Sequence, residues 1–343
     1  MMVHKPPRTV VIDANSFIYR NIMVTAHDDL KVVERVQGVR TEGVADTKTI
    51  VTGGVYRTLT SLRALLALPG VNAGRIVAFF DCGVPEFRRE LFEHYKEARK
   101  KNRKDRFTEE EEEQLFRQLD LARDLLELLG VVCSSFQDRE ADDAVAACVQ
   151  AVVKKGGPRP IVVTGDKDLW QCVAMGADIW NLSKKEFIDT DNFEERTGFP
   201  LSLYLVAKAL IGDPSDGIPG AAGCGQKRAK SLCEDYREEL ETYTTPRQKM
   251  RALVRLLEAK EGKLRKYEQN IVESARWLDD VIRGIDLKNS FGGLSVLNTI
   301  LKRKPKVDLY GFLRFCKRLK FNSVLGDPEK FLKPFKRAEK LRG

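Results

Sequence analysis

Nine carboxylates stand where the local sequence changes character: Asp13, Asp81, Glu140, Asp142, Asp143, Asp166, Asp168, Asp213 and Asp216. Carboxylates gathered in one cleft repel each other and need cations to coexist. An all-oxygen donor set suits hard ions, so the chemistry on offer is Mg²⁺ or Mn²⁺ binding. Two such ions about 4 Å apart can activate a water and stabilise the leaving oxygen of a phosphodiester. Taken singly, each residue has an ordinary reading. Asp13 could cap a helix, and Asp81, Asp213 and Asp216 could be turn residues. Glu140 and Asp142 suit a helix N-terminus, and Asp166 and Asp168 could shape a strand-to-helix turn. Their joint placement is what points further. Rival chemistries lack their residues. The three histidines, His4, His27 and His94, have no Ser/His/Asp setting, and there is no Walker loop or GxGxxG fingerprint.

The elements that must position these acids can be read next. Residues 9–12, 75–80 and 160–164 are apolar runs, and Asp13, Asp81, Asp166 and Asp168 lie at or just past their ends. Helical patterns lie over 55–68, 108–129 and 141–154. Strands alternating with helices predict an α/β fold with a mainly parallel central sheet flanked by helices. In such sheets, sites form beyond the carboxyl ends of the strands. After about residue 200 the texture is helical, over 201–211, 226–236, 246–261, 262–283 and 309–320. A Gly/Pro-rich turn segment over 212–225 precedes the second of these.

The chain has 343 residues, 43% of them hydrophobic, enough for a sizeable core. Its net charge of +9 is uneven: residues 301–343 hold 14 Lys/Arg against four Asp/Glu. That basic end suggests a polyanionic partner, although a solvated surface has the same composition. Seven scattered cysteines, without CxxC or zinc-ligand spacing, read as reduced thiols of a cytoplasmic protein. No apolar run of membrane-spanning length and no signal-peptide pattern is seen, so no membrane is expected.

Four segments together resemble the 5′ nuclease, or flap endonuclease, family, in particular the free-standing bacteriophage enzymes and the 5′ nuclease domain of bacterial DNA polymerase I. They are Val11-Ile12-Asp13-Ala14-Asn15-Ser16; Phe80-Asp81 with Phe87-Arg88 and Tyr95-Lys96; Glu140-Ala141-Asp142-Asp143 with Thr164-Gly165-Asp166-Lys167-Asp168; and Gly212-Asp213 through Ala229. The resemblance implies that Asp13, Asp81, Glu140, Asp142 and Asp143 form or support one metal site. Asp166, Asp168, Asp213 and Asp216 would form or support a second. It gives Lys96 and Arg99 catalytic roles at the scissile phosphate. Arg88 would contact phosphate. Residues 94–106 would belong to a helical arch over single-stranded DNA, with Tyr95 or Phe107 stacking on a base. Gly223, Gly225, Lys227 and Arg228 would belong to a helix–three-turn–helix motif that grips the duplex and often a K⁺ ion. The sequence departs from the family at Ala14 and Gly217, where Gly and Asn are usual; neither change removes a carboxylate.

The resulting expectation is a nuclease core over 1–198 with an arch about 86–114. A helical DNA-binding region would span 199–325, with the helix–three-turn–helix about 212–236, and a basic arm 326–343. The expected activity is structure-selective 5′ nuclease cleavage in primer removal or repair, with two or more Mg²⁺ ions (Mn²⁺ substituting). Expected partners are branched, nicked or gapped DNA and RNA–DNA primer hybrids, met by a monomer in a bacterial or phage-infected cell. Two alternatives stay open: a PIN-type ribonuclease, and an inactive branched-DNA-binding protein.

Overall fold

The computed structural model describes residues 6–29, 51–291 and 295–342. His4 and the side chains of His27, Lys100, Arg103 and Lys104 lie outside the described residues.

Six strands form one sheet: β1 (Arg8–Asp13), β2 (Ala73–Phe80), β3 (Val132–Ser135), β4 (Ile161–Thr164), β5 (Asp178–Asn181) and β6 (Glu186–Ile188), in the order β3-β2-β1-β4-β5-β6. Every neighbouring pair is parallel except β5 with β6. The mainly parallel sheet expected from the sequence is therefore present. β1 is central, with Val11 level with Val77 of β2 and Val162 of β4. The chain winds outward through β2 and β3, then returns to the other side of β1 at β4. That reversal between β1 and β4 opens a crevice at the carboxyl edge, where ligands of doubly wound sheets bind.

The β1 run is continuously apolar because both faces of the sheet are covered. Val11, Val77 and Val162 point into one apolar cluster, while Val10, Ile12, Ile76 and Val163 point into the other. The first cluster is completed by the helix Ala141–Lys154 and by Tyr204–Ile211, Pro246–Glu258 and Ala275–Ile285. The second is completed by Ala14–Asp29, Gly53–Leu66 and Glu109–Leu128. It also receives Leu309–Arg318 and Pro328–Leu341. The helical residues after 200 are thus divided between opposite faces.

Two expectations need correction. The basic arm expected over 326–343 is not free over its described residues. Pro328–Leu341 is a helix that buries Leu332, Phe335 and Ala338 against the sheet's second face. Its apolar side chains recur at helical spacing, which the density of lysines obscured. The single helix expected over 262–283 is two, Lys266–Glu273 and Ala275–Ile285, separated at Ser274. Strands β3, β5 and β6 went unread because, unlike the equally short but wholly buried β4, they mix polar with apolar residues over four residues or fewer.

Candidate active site

The carboxyl edge of β1, β2 and β4 opens into a cleft of about 1190 Å³. Asp13, Asp81, Glu140, Asp142, Asp166, Asp168 and Asp213 all line it. Asp13 ends β1, and Thr164, the last residue of β4, donates its hydroxyl to Asp13 at 2.9 Å. Ser16 clamps the same corner, its amide donating to Asp13 at 3.2 Å and its hydroxyl accepting from the Gly165 amide at 3.1 Å. Asp81 follows β2 and accepts from the Ala141 amide at 2.7 Å, at the start of the helix Ala141–Lys154. Both ordinary readings, helix cap and turn residue, therefore coexist with a place in the cleft.

Two groups of carboxylates are close enough to share an ion. Glu140, Asp142 and Asp143 bring oxygens within 4.8 Å of one another, and Asp168, Asp213 and Asp216 do the same. Asp143, however, is fully buried and gives both oxygens to the Arg88 guanidinium, at 2.7 and 3.0 Å. Its place is behind the cleft, holding Arg88. Asp213 is set by its own turn, accepting from the Ser215 amide at 2.9 Å and hydroxyl at 2.6 Å.

The electrostatics report crowded negative charge. Burial, then neighbouring Asp81 and Asp166, push Asp13 up to about 7. Burial raises Asp81 and Asp166 as well, with Asp168 adding to the shift at Asp166. Desolvation in the cleft wall holds Asp142 well above the usual carboxylate range despite Arg88. Burial lifts Asp216 to about 6 against the pull of Arg99 and Lys96. Burial works against Glu140 too, but Lys96 and Arg88 outweigh it and hold its carboxyl below the ordinary value. A cluster in which most members resist ionisation lacks positive charge, and oxygen-only donors favour a hard divalent cation to supply it.

Lys96 and Arg99 reach the acids from the side of the helix Glu97–Arg106. Lys96 pairs with Glu140, and Arg99 with Asp216. The helix carrying Arg99, Glu97–Arg106, is anchored where the Lys96 amide donates to the Asp216 carbonyl at 3.0 Å. Lys96 itself sits in the left-handed region at φ 59°, an uncommon conformation for a side chain of its size. Gly217 explains one departure from the family pattern. At φ 72°, a Cβ there would stand 2.4 Å from the His94 carbonyl oxygen. Asn would not fit where the His94 backbone meets this turn.

Arg88, expected to contact phosphate, is turned into the interior, whereas Tyr95 lines the cleft. Arg88 is 2% exposed, and it pairs with Glu140 and Asp143 while donating to the Gly284 carbonyl at 3.0 Å. Tyr95 packs on Phe92 and donates its hydroxyl to Glu140 at 3.0 Å. An arginine beside two acids pairs with them when all three are dry, which spacing along the chain does not disclose. Phe107 does line the cleft. Lys208 was missed altogether; its ammonium lies 2.5 Å from Asp168. Its signal was a lone charge in the otherwise apolar helix Tyr204–Ile211.

The turn segment forms as expected between the helices Tyr204–Ile211 and Gln226–Asp235. Lys227 is exposed, and Gly225 leaves open space where a Cβ would be. Arg228 lies over the Tyr267 ring and donates to the Gly223 carbonyl.

A doubly wound sheet with an all-oxygen acidic centre at its reversal point defines an α/β protein of the divalent-metal-binding class. Residues 8–198 match the family described as 5′-3′ exonuclease, N-terminal resolvase-like domain, and the chain belongs to that family. It is 30% identical over 254 residues to a thermostable DNA polymerase I of Thermus thermophilus, a match covering 73% of this chain and 27% of the polymerase. It is 27% identical over 234 residues to a 5′-3′ exonuclease of Bacillus subtilis, covering 67% of this chain and 70% of that one. The chain thus spans about a quarter of the polymerase it matches. Among solved structures, a bacteriophage T5 flap endonuclease in complex with DNA and metal ions superposes with a TM-score of 0.60 at 17% identity, over 97% of this chain and 99% of that one. The T5 5′-exonuclease with bound zinc gives a TM-score of 0.61 at 17% identity, over 98% of this chain and 100% of that one. Among the described residues, no helix is long and apolar enough to cross a membrane.

Proposed function

We propose that this chain is a structure-selective 5′ nuclease that hydrolyses DNA phosphodiesters at flaps, nicks and gaps, acting as 5′–3′ exonuclease and flap endonuclease. The observation that carries this reading is the juxtaposition of two acidic groups with Lys96, and with Arg99 of the basic helix that follows it, reaching them. Family membership and the flap endonuclease fold support it.

Mg²⁺, with Mn²⁺ as substitute, fits the oxygen-only donors, and Glu140, Asp142, Asp168, Asp213 and Asp216 would hold the ions with Asp13, Asp81 and Asp166 beside them. When bound, such ions supply a hydrolytic nucleophile and charge stabilisation at the leaving oxygen. The chain's own groups do the positioning. Lys96 and Arg99 exchange their carboxylate partners for the scissile phosphate and offset its developing charge. The arch side of the cleft, with Phe107, Asn102 and Arg106, receives the single strand. The Gly223–Gly225 turn and Lys227 meet the duplex backbone. A K⁺ ion at the carbonyls of that turn belongs to the same proposal and would displace Arg228 from Gly223. RNA-primed ends as substrates, action as a single chain and a cytoplasmic setting complete the reading.

Cleavage of a 5′-labelled flap duplex in Mg²⁺, beside EDTA and an Asp166→Ala/Asp168→Ala variant, tests it. Metal-dependent products near the junction, lost in the variant, are expected. Tight flap binding without cleavage in either metal would leave only a branched-DNA-binding protein. Preferential cleavage of RNA without regard to branching would favour a PIN-type ribonuclease.

A further inference from the structure

The basic C-terminal segment is folded, and its four acids are already committed. Asp308 caps the helix Leu309–Arg318 by accepting from the Gly311 amide at 2.9 Å. Asp327 caps the helix Pro328–Leu341 through the Lys330 amide at 3.1 Å. Glu339 accepts from the Val307 amide at 3.1 Å, and Glu329 pairs with Lys336 at 2.7 Å. Against these four, the 14 Lys/Arg of residues 301–343 leave a net surplus of positive charge at the surface.

An exposed aromatic adjoins that charge. Tyr310 is 71% exposed, and Arg314, one turn on, holds its guanidinium 5.7 Å from the ring centroid. Tyr310, Arg314, Lys317 and Arg318 follow helical spacing on the exposed side, while Phe312, Phe315 and Cys316 are buried on the other. The strip starts far from the carboxylate cleft. The Asp308 amide donates to the Leu128 carbonyl at 2.9 Å, just ahead of the amino end of β3. The acids stand at the opposite, carboxyl edge of the sheet.

We propose that the exposed face of Leu309–Arg318 is a second nucleic-acid site, separate from the cleft, which takes an unpaired strand by stacking a base on Tyr310 and pairing phosphates with Arg314, Lys317 and Arg318. Stacking needs a base free of its partner, so the occupant is single-stranded. The phosphate contacts carry no sequence information, so the site tethers without choosing a sequence. Choosing nucleic acid over an acidic protein rests on the nuclease reading, together with the exposed ring beside Arg314.

The test measures binding without cleavage. Fluorescence anisotropy of a labelled oligothymidylate is followed in EDTA, for the full chain and for Tyr310→Ser and Arg314→Ser/Lys317→Ser/Arg318→Ser variants. Melting curves confirm that these surface variants fold. Tyr310→Ser is expected to weaken binding about tenfold. The triple variant is expected to reduce the slope of log K against log salt by about two. Photocrosslinking of a bromouracil oligonucleotide is expected to label the peptide containing Tyr310. Unchanged affinity and salt slope, with crosslinks confined to the cleft and arch, would overturn the proposal and leave an acidic protein as the partner of this face. Cleavage is not read in the binding assay, so a failed nuclease reading would show separately.

Discussion

Arg88 grips Asp143 through two parallel hydrogen bonds in the dry interior, and the same guanidinium pairs with Glu140 at the lip of the cleft. It also bonds to the Gly284 carbonyl near the end of Ala275–Ile285. One side chain therefore ties the first acidic group to the helix after β2 and to the later helical residues. Arg88→Met would strand two buried carboxylates, and removing one partner of a buried pair costs about 3–5 kcal/mol. A loss of this size in denaturant unfolding is expected, and Asp143→Asn added to it should cost much less than the two losses summed. Full additivity in the double-mutant cycle would show that the pair is not coupled.

The acidic groups are held together against their own repulsion. Asp142→Asn or Asp166→Asn is therefore expected to abolish cleavage while raising the melting temperature of the metal-free protein. Burial first, and then neighbouring carboxylates, keep these carboxyls above their ordinary range, and a neutral side chain escapes both costs. Differential scanning calorimetry in EDTA, beside a cleavage assay in Mg²⁺, measures both. A variant that loses activity and also melts lower would point to a structural role.

Stability should depend on pH with a definite sign. Asp13 binds its proton up to about 7 in the folded state against 3.8 unfolded, and Asp216 up to about 6. Between those values the folded state holds more protons, so metal-free stability falls as pH rises through the window. Below the lower value this contribution is constant. Divalent metal should reverse the trend, because it binds the ionised carboxylates and stabilises the folded state. Melting in EDTA and in Mg²⁺ across this range checks it. A metal-free melting temperature that climbs with pH through the window would contradict the raised carboxyls.

Lys96 and Arg99 are expected to act on the reaction more than on the fold. Lys96→Ala should lower the single-turnover cleavage rate about a hundredfold, the usual scale for one lost electrostatic contact at a transition state. Flap affinity should change far less. A matching loss of affinity would make Lys96 a DNA-binding group instead.

Deleting residues 327–343 separates a docked helix from a loose arm. Leu332 and Phe335 are essentially unexposed, and burial of each is worth about 2–3 kcal/mol. The truncated chain should therefore lose at least about 4 kcal/mol of stability, read from denaturant midpoints. An unchanged midpoint would mean the helix adds nothing to the core.

The sequence by itself determined the acidic inventory and the strands that deliver it. β1, β2 and β4 are buried on both faces, so they read as unbroken apolar runs, and Asp13, Asp81 and Asp166 fall at or just beyond their ends. The helix Ala141–Lys154 and the Gly-rich turn before Gln226–Asp235 were legible for similarly local reasons. Only the tertiary structure decided which charges meet. Arg88 and Lys208 find carboxylates 52 to 55 and 40 residues away respectively. Gly217 is required because His94, remote in sequence, packs on its backbone. Side-chain periodicity encodes which face of an element is buried, but it carries no information about which distant residue shares the burial, and that pairing sets the charge state of a site.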